Sequence, residues 1–322
     1  MIAAETIVIG GGPAGSTCAW KLKQAGRDVL LIDKKEFPRL KLCAGWITPK
    51  VLRDLEINPR TYPHSLVTFD KLHFHINGRQ IPVKTRQYSI RRYEFDNWLL
   101  QRADVPVYNH TVRHIRRENG QYVIDDAFKC TYIVGAGGTT CPVYRTFFET
   151  ANPRVASLRI STMEEELPYN YEDANCYLWF FENKLPGYSW YVPKGHGIIN
   201  VGIGGKLATM KAREETIHQH WQLFTQKLHD LNLVTNHQFE HRGYNYFLRQ
   251  RVQKPRIANA FITGDAAGLA TKDMGEGIGP AVESGIRAAN SIIHNTDYSL
   301  NPVTRFSIWN IFKLTFLKKS AI

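Results

Sequence analysis

Two carboxylates of the chain each stand beside a glycine-rich turn, a combination that suits the binding of phosphates and sugar hydroxyls. The motif Gly10-x-Gly12-x-x-Gly15 lies near the amino end, and Asp33 follows it by 18 residues. Asp265 follows Gly264 directly, and the run Gly275-Glu276-Gly277-Ile278-Gly279 begins ten residues later. Glycine turns let backbone N–H groups approach phosphates, and a nearby carboxylate accepts hydrogen bonds from hydroxyl groups. The two sites together predict a long dinucleotide that is held at both ends.

The elements around the first motif are those of a βαβ unit. Residues 6–9 are a β-branched run typical of a buried parallel strand, and the glycines follow it directly. Apolar residues at three- and four-residue spacing after Pro13 predict a helix that begins near Ala14 and that Gly26 ends. A second strand, residues 29–32, leads into Asp33 and Lys34. An acid at this place grips a ribose hydroxyl and argues against a 2′-phosphate, so FAD or NAD is predicted rather than NADP.

The second motif favours FAD. Residues 257–263 are strand-like, and Asp265 at their end is placed to accept hydrogen bonds from the polyol that only a flavin dinucleotide carries. Apolar residues on one face then predict a helix with Pro280 in its first turn. Its N-terminus would direct N–H groups at the negative charge of the reduced flavin ring. The alternative is that Gly264-Asp265 is only a turn and residues 275–279 only a flexible loop.

Three further segments carry a resemblance to a known family. They are Lys41-Leu42-Cys43-Ala44-Gly45, Arg92-Tyr93-Glu94-Phe95-Asp96 and Tyr188-Ser189-Trp190-Tyr191-Val192-Pro193. With these segments and the two glycine motifs in this order, the chain resembles the FAD-dependent oxidoreductases of the para-hydroxybenzoate hydroxylase fold. Within that group it is similar to the geranylgeranyl reductase family, over residues 7 to about 289.

The resemblance implies both a fold and an activity. The fold is α/β, with a Rossmann-like FAD-binding domain interleaved with an antiparallel β-sheet substrate domain. The activity is reduction of C=C bonds of an isoprenoid or other apolar lipid-like substrate by hydride transfer from reduced flavin. Cys43 would lie beside the flavin as a proton donor, and Tyr188, Trp190 and Val192 would line the substrate cavity. The residues themselves leave open that Cys43 is a small buried residue and that the aromatic pair is ordinary sheet core.

The resemblance also widens the set of expected cofactor contacts. Arg92 corresponds to an arginine that lies by the cofactor, and Gly137-Gly138 replaces the usual Asp-Gly pair, which removes the acid of a family-like NAD(P)H contact. The predicted FAD-binding residues are Gly10, Gly12, Pro13, Ala14, Gly15, Asp33, Lys34, Lys41, Cys43, Ala44, Gly45, Arg92, Gly137, Gly264, Asp265, Gly275, Gly277, Ile278 and Gly279. The external electron donor is left open among NADPH, NADH and ferredoxin.

Two other function classes fit parts of the pattern. An FAD-dependent monooxygenase or halogenase would act through a flavin C4a-hydroperoxide, and Tyr188-x-Trp190-x-Val192-Pro193 nearly matches the halogenase motif Trp-x-Trp-x-Ile-Pro. A non-enzymatic prenyl-type carrier would have a decayed flavin site, whereas Asp33, Asp265 and the second glycine run all persist here. Flavin absorbance of the purified protein would separate the carrier from the enzymes.

Composition and charge agree with an enzyme for a small apolar molecule. The 322 residues are 43% hydrophobic, and the five cysteines form no C-x-x-C pair, so neither a metal site nor a disulfide framework is expected. The formal charge of +12 comes without a nucleic-acid module, so no nucleic-acid partner is expected. The chain enters its first strand at once and has no apolar run near the ~20 residues of a membrane span, which predicts a cytoplasmic protein.

Residues 306–319 are the one segment that suggests a membrane partner. Aromatic and aliphatic side chains are interspersed there with lysines. This pattern is compatible with peripheral contact to an anionic membrane and equally with a terminal helix packed on the FAD-binding domain. The sequence leaves the oligomeric state open.

The strand-like segments predict two interleaved domains. The FAD-binding domain is expected at residues 1–65, 91–154 and 254–300, and the substrate domain at 66–90 and 155–253, with a C-terminal amphipathic tail at 301–322. A hairpin closed by Asn77-Gly78 opens the substrate domain. The run Gly202-Ile203-Gly204-Gly205 is predicted to lie at a strand end, because no βαβ unit surrounds it.

Overall fold

The computed structural model describes residues 1–304. The strands are β1 Ile2–Ile9, β2 Val29–Asp33, β3 Trp46–Ile47, β4 Leu66–Ile76, β5 Arg79–Ile90, β6 Val107–Asn109, β7 Ile115–Glu118, β8 Gln121–Ile124, β9 Phe128–Gly135, β10 Arg159–Pro168, β11 Cys176–Phe180, β12 Gly187–Lys194, β13 Ile198–Lys206, β14 Arg242–Phe247, β15 Arg256–Ile257 and β16 Ala260–Ile262. The helices are α1 Pro13–Gln24, α2 Pro49–Asp54, α3 Arg92–Ala103, α4 Leu207–Ala212, α5 Ile217–Asp230 and α6 Ile278–His294.

The chain divides into two compact units, each built from separate stretches of sequence. The first contains Met1–Glu36, Leu99–Arg154 and the described residues from Phe247 onward, and the second contains Phe37–Trp98 and Val155–Tyr246. Residues 37–65 and 91–98 therefore belong to the second unit, whereas the sequence prediction placed them in the first. The loop before β3 is the reason, because β3 pairs with β5 and draws its flanking residues to that sheet.

The first unit is organised by a largely parallel sheet. Its central order is β15-β16-β9-β1-β2-β6, and β1 pairs in parallel with both β2 and β9. The second half of β1 and most of β2 are buried on both faces, which is typical of a parallel sheet covered by helices. Because these strands are parallel, the loops that follow β1, β2, β9 and β16 emerge at one edge.

Two helices of the first unit pack closely at that edge. A Cβ on Gly285 of α6 would lie 2.3 Å from the carbonyl oxygen of Ala14 in α1, so only glycine permits this approach. A Cβ on Gly15 would lie 1.8 Å from the Gly10 carbonyl oxygen, which explains the third glycine of the first motif. The N-termini of α1 and α6 are thereby held beside the loops that follow the strands.

The second unit is organised by a mostly antiparallel sheet. Its order is β14-β10-β13-β12-β11-β4-β5-β3, and only β11 with β4 is parallel among the pairs described. The β4–β5 hairpin turns at Asn77 and Gly78, whose φ values of 50° and 74° suit a primed two-residue turn. Residues 202–205 lie within β13, so the prediction of a strand rather than a nucleotide loop is confirmed.

One face of this sheet forms the core of the second unit. Tyr191 of β12, Val201 of β13 and Trp221 of α5 belong to one buried apolar cluster. A capping box formed by Thr216 and Gln219 starts α5, whose buried face contacts this cluster. Because side chains alternate along a strand, Tyr188, Trp190 and Val192 lie on the opposite face.

The sequence also predicts a membrane-contact segment and the absence of a membrane-spanning helix. The membrane-contact segment 306–319 lies outside the described residues, as does most of the 301–322 tail. Within residues 1–304, none of the helices is both long enough and apolar enough to span a bilayer.

Candidate functional site

The turn between β1 and α1 presents backbone N–H groups with no side chain to occupy them. Gly12 is the N-cap of α1, and within the described chain it makes no side-chain capping bond and the first helical turn has no acid. Pro13 stands at the start of the helix, where its missing N–H costs nothing. The N–H groups that follow, including that of Gly15, are therefore available to an anion such as a pyrophosphate.

Asp33 stands directly beside this turn. Its Oδ2 accepts a hydrogen bond from the Gly11 N–H at 2.7 Å, and its Oδ1 accepts one from the Lys35 N–H at 2.9 Å. Each carboxylate oxygen has a second lone pair, so Asp33 can also accept from ribose hydroxyls. Lys34, which the sequence prediction included, is an exposed residue of the same turn.

The loop after β9 lies against the same edge of the sheet. The Ala136 N–H donates to the Ile9 carbonyl at 2.8 Å, and a Cβ on Gly10 would lie 2.5 Å from the Ala136 carbonyl oxygen. Gly137 is less tight, since its Cβ would lie 3.2 Å from the Cys141 Cα and a small shift would accommodate it. Gly10 is thus needed for backbone packing, whatever it contributes to a cofactor.

The Gly264-Asp265 turn brings a free carboxylate to this edge. Gly264 has a φ of +53°, and its Cβ would lie 3.2 Å from the Ala14 Cβ. The Asp265 Oδ1 lies 3.4 Å from the position of a Cβ on Gly277, so the carboxylate faces the second glycine run. Among residues 1–304, the Asp265 carboxylate makes no hydrogen bond or ion pair, and it is partly exposed. A polyol hydroxyl is a suitable partner for it.

The start of α6 differs from the sequence expectation in one respect. Gly277 is the N-cap and Ile278 the first helical residue, but the Gly279 N–H already donates to Glu276 Oε1 at 2.7 Å. The pKa of Glu276 is raised to about 7; burial is the largest cause and the neighbouring Glu283 adds to it, while the Gly279 N–H acts in the opposite direction. The helix end therefore carries its own titratable carboxyl, next to Gly275 with its φ of +61°.

Together these loops fit FAD. The uncapped α1 start suits the pyrophosphate, Asp33 suits a ribose, and the unpaired carboxylate of Asp265 suits the polyol. All three features lie in the first unit, at the edge where the parallel strands end.

The other predicted cofactor residues lie in the second unit, around Cys43. The Gly45 N–H donates to the Cys43 sulfur at 3.4 Å, and the Arg92 guanidinium also hydrogen bonds to that sulfur. Arg92 is buried and makes a bidentate pair with Asp96, at 2.6 and 2.7 Å. Burial lowers the pKa of Arg92, but the interactions with Asp96 and Cys43 raise it by more. The Arg92 pKa therefore lies above its usual value. Lys41 lies elsewhere in this loop, with its Nζ 3.3 Å from the Tyr244 ring centre.

Lys194 anchors the loop that carries Cys43 by hydrogen bonds to backbone carbonyls. Its side chain is fully buried, and its Nζ donates to the carbonyl oxygens of Ala44 at 2.7 Å and Ile90 at 2.6 Å. Burial lowers the Lys194 pKa, against the opposing effects of Glu166 and Cys43. Gly45 has a φ of +72°, and a Cβ there would lie 2.2 Å from the Lys194 Nζ. The cluster thus places two cationic groups around one thiol.

The predicted substrate residues share one face of the sheet with Lys194. Tyr188 and Trp190 have ring centres 5.7 Å apart, and Val192 is fully buried two residues farther along β12. The Trp190 Nε1 donates to the Asn200 Oδ1 at 2.6 Å. A Cβ on Gly202 would lie 2.2 Å from the Trp190 ring, so this glycine leaves the space that the indole fills. This face therefore carries the apolar side chains of Tyr188, Trp190 and Val192 next to the polar side chains of Lys194 and Asn200.

Sequence reasoning missed Lys194 beside the Cys43 loop and Glu276 at the start of α6. It also missed Arg154 of the first unit and Glu164 of β10. Lys194 had a usable signal, because it continues the alternation of residues 188, 190 and 192 on one face. Glu276 was within the glycine run but was not assigned a role. Arg154 had no local signal, because it binds backbone carbonyls that lie 15 and 111 positions away in sequence.

Known proteins share much of this chain. A family model described as an NAD(P)-binding Rossmann-like domain matches residues 8–51. An uncharacterised protein of Methanosarcina barkeri is 30% identical over 306 residues, covering 89% of this chain and 74% of that protein. The geranylgeranyl diphosphate reductase of Rhodobacter capsulatus is 27% identical over 303 residues, with the same two coverages of 89% and 74%. The chain belongs to the geranylgeranyl reductase family of FAD-dependent oxidoreductases.

Solved structures support the fold of this geranylgeranyl reductase family member. A geranylgeranyl bacteriochlorophyll reductase-like protein of Thermoplasma acidophilum superposes with a TM-score of 0.78 at 20% identity, covering 100% of this chain and 84% of that one. The flavin-dependent halogenase CmlS gives a TM-score of 0.71 at 20% identity, covering 92% and 59%. The predictions of family, fold class and FAD-dependent oxidoreductase are confirmed. The fold itself does not separate reductase from halogenase chemistry, although the family assignment favours the reductase.

Proposed function

We propose that the protein reduces C=C bonds of an isoprenoid or other apolar lipid-like substrate, using FAD held mainly by the first unit. The observation that carries the proposal is the Cys43 cluster, in which Arg92 and Gly45 both donate hydrogen bonds to one sulfur. Relatives named for geranylgeranyl substrates make an isoprenoid the favoured substrate class.

The residues of the first unit would bind and orient the cofactor. When bound and reduced, FAD would supply the hydride for the alkene. The N–H groups at the start of α1 would hold its phosphates, Asp33 a ribose, and Asp265 the polyol. The rest of the reaction needs a proton at the second alkene carbon and a site that excludes water.

Cys43 is our candidate for the proton donor. Its thiol would protonate the second carbon as the hydride reaches the first, so that the alkene gains two hydrogens in total. Hydrogen bonds from Gly45 and Arg92 would stabilise the negative charge left on the sulfur. Asp96 fixes the Arg92 fork by its bidentate pairing, and Lys194 fixes the loop carbonyl of Ala44.

The apolar part of the substrate would lie on the sheet face of Tyr188, Trp190 and Val192. Trp190 is 5% exposed and is anchored by its hydrogen bond to Asn200, so its ring is held rigidly on this face. Tyr188 is more exposed than Trp190, and its ring contacts that of Phe180 at 5.0 Å between centres. An isoprenoid chain needs such surface and few polar groups.

The test is a single turnover without oxygen. The flavin-loaded protein is reduced, mixed with geranylgeraniol or geranylgeranyl diphosphate, and followed by flavin absorbance and by the mass of the lipid. We expect reoxidation of the flavin together with a gain of two hydrogens per lipid. In deuterium oxide we expect deuterium at the carbon that the thiol protonates, because the thiol exchanges with solvent.

Variants then distinguish a role of Cys43 in catalysis from a loss of activity caused by disturbed folding. Cys43→Ala should slow the single turnover by about 10²-fold or more, the usual contribution of a general acid. Cys130→Ala, which removes a buried cysteine of β9, is the matched control and should leave the rate near that of the wild type. A flavin that stays reduced with every lipid, but in air inserts oxygen or halide into an added substrate, would replace the proposal with the monooxygenase or halogenase class. Comparing NADPH, NADH and ferredoxin as reductants would identify the electron donor.

A further inference from the structure

Glu164 is a buried carboxyl that this chain leaves incompletely satisfied. It lies in the middle of β10, is 2% exposed, and its Oε2 has no hydrogen-bond partner among residues 1–304. Buried polar atoms in native proteins nearly always have a partner, so an unpartnered carboxyl oxygen needs an explanation. A ligand that supplies the missing bond is one.

The unpartnered oxygen lies on the predicted substrate face. Glu164 pairs with Gly202 in the β10–β13 register, and Gly202 pairs with Trp190 in the β12–β13 register. A Cβ on Gly202 would lie 2.7 Å from the Glu164 Cβ as well as 2.2 Å from the Trp190 ring. Glu164 and Trp190 are therefore neighbours across a glycine, on the face that also carries Tyr188 and Val192.

The carboxyl is held in a fixed orientation. The Trp190 Nε1 donates to the Asn200 Oδ1 at 2.6 Å, and the Asn200 side chain hydrogen bonds to Glu164. Asn200 is itself only 2% exposed. This chain of bonds satisfies one side of the Glu164 carboxyl and leaves Oε2 for another group.

The protonation state of Glu164 decides which group Oε2 can bind. Its pKa is raised to about 7, mainly by burial and in part by Glu166 on the same strand, while Lys194, Asn200 and Lys41 act in the opposite direction. The charged groups among these are Glu166 of β10, Lys194 of β12 and Lys41 of the loop before β3. At and below neutral pH a large fraction of the carboxyl is protonated and has an O–H to donate.

We propose that Glu164 is a specificity-determining residue whose carboxyl donates a hydrogen bond to a neutral oxygen of the substrate, such as a hydroxyl or a carbonyl. The preferred substrate is then an oxygen-bearing neutral isoprenoid lipid. A diphosphate would bring negative charge to a carboxyl that burial already disfavours in its ionised form, and a bare hydrocarbon would leave Oε2 unpartnered. This inference rests on the proposed function.

Binding to the oxidised, flavin-loaded protein tests it without turnover. The four probes are geranylgeraniol, which has a hydroxyl, geranylgeranylacetone, which has a carbonyl, geranylgeranyl diphosphate and the hydrocarbon squalene. Dissociation constants are measured between pH 5.5 and 8.5 from the change in flavin absorbance or fluorescence. In the wild type we expect the two neutral oxygenated lipids to bind best, and to bind more weakly as the pH rises through about 7.

Three variants supply the comparison. Glu164→Leu should weaken binding of the two neutral oxygenated lipids by about tenfold, the size expected for one lost hydrogen bond of this kind, and should not weaken binding of squalene. Glu164→Gln keeps a donor at every pH, so it should bind these lipids with no pH dependence. Glu165→Gln removes the same charge from the adjacent residue of β10. The Glu165 carboxylate hydrogen bonds to His237 and to the Glu240 N–H, so this variant should bind all four probes as the wild type does.

The outcomes distinguish this inference from the proposed function. Equal binding of all four probes by the wild type and Glu164→Leu would overturn the role of Glu164, as would tightest binding of the diphosphate. If Glu164→Leu does not fold, the pH profile of Glu164→Gln decides alone, and a profile identical to the wild type would also overturn it. Failure of every lipid to reoxidise reduced flavin would reject the reductase function, while the binding constants would still show whether Glu164 recognises a neutral oxygen.

Discussion

The Nζ of Lys194 lies 2.7 Å from the carbonyl oxygen of Ala44, and this hydrogen bond joins β12 to the loop that carries Cys43. A second bond, to Ile90 at 2.6 Å, joins the same ammonium to the end of β5 just before α3. One buried cation therefore connects the strand of Trp190, the thiol loop and the start of the Arg92 helix. The substrate face and the thiol cluster are thus parts of one rigid arrangement within the second unit.

Lys194→Met should lower the stability of the protein and the rate of lipid reduction more than it lowers the affinity for FAD. The buried carbonyl of Ile90 and the partly buried carbonyl of Ala44 lose their donor, so we expect the free energy of unfolding to fall by about 1–3 kcal/mol. The Cys43 loop would lose its anchor, and single-turnover lipid reduction should slow by about tenfold or more. Flavin content and FAD affinity should change little, because the proposed phosphate, ribose and polyol contacts lie in the first unit. Lys206→Met, at an exposed end of β13, is the control, and equal effects of both variants would contradict the role of Lys194.

Arg154 makes a corresponding connection in the first unit. Its Nη1 donates to the Thr139 carbonyl at 2.6 Å, and its Nη2 approaches the carbonyls of Asp265 and Ala266, each at 3.4 Å. The guanidinium also stacks over the Tyr144 ring at 4.3 Å. It therefore ties the loop after β9 to the Gly264-Asp265 turn.

We expect Arg154→Lys to weaken FAD binding by about tenfold, because an ammonium cannot bridge both loops with a planar fork. The measurement is the dissociation constant for FAD after removal and re-addition of the cofactor. Arg145→Lys, at an exposed residue of the π-helical turn Tyr144–Phe148, should not change it. An unaltered affinity in Arg154→Lys would show that the two loops keep their positions without the bridge.

The sequence was sufficient for the elements with strong local signals. The βαβ unit at residues 6–33 was predictable because its strands are apolar, its glycines have fixed spacing and Asp33 follows directly. The sheet of the second unit was predictable from alternation in segments such as residues 188–192. These features depend on residues that are close together along the chain.

What the sequence could not supply were contacts made to the backbone across long separations. Lys194 and Arg154 act on carbonyl oxygens, and every residue type offers those equally. The placement of residues 37–65 in the second unit depends on the β3–β5 pairing, and a two-residue strand such as β3 leaves almost no periodic signal. The pKa of Glu164 depends on a burial that only the assembled sheet creates.

Glu276 should tune the flavin through its charge at the start of α6. Its pKa of about 7 means that it is mostly ionised at pH 8 and mostly protonated at pH 6. We propose that the reduced flavin ring lies near this helix end, where an ionised carboxyl would oppose the negative charge of reduction. Glu276→Gln should therefore raise the two-electron midpoint potential at pH 8 by on the order of 30 mV, equivalent to about 1.4 kcal/mol, and hardly change it at pH 6.

The measurement is dye equilibration of the holoprotein at the two pH values. Asp273→Asn removes a nearby acid whose Oδ1 accepts the Met274 N–H, and it serves as the control for charge near the second glycine run. A potential that is the same in Glu276→Gln and the wild type at pH 8 would show that α6 does not direct its N-terminus at the flavin ring.

The raised pKa values of Glu164 and Glu276 also predict how stability changes with pH. Both carboxyls titrate near 7 in the folded protein, against an ordinary value of 4.5. The folded state therefore holds protons that the unfolded chain has lost, and the stabilisation this gives is full below about 4.5 and disappears as the pH rises through about 7. A glutamine stays neutral throughout, so the melting temperature of Glu164→Gln minus that of the wild type should increase from pH 4.5 to 7 and then level off. Glu276→Gln should follow the same course, and a difference that is flat across this range would mean that the carboxyls ionise in the folded protein as they do in water.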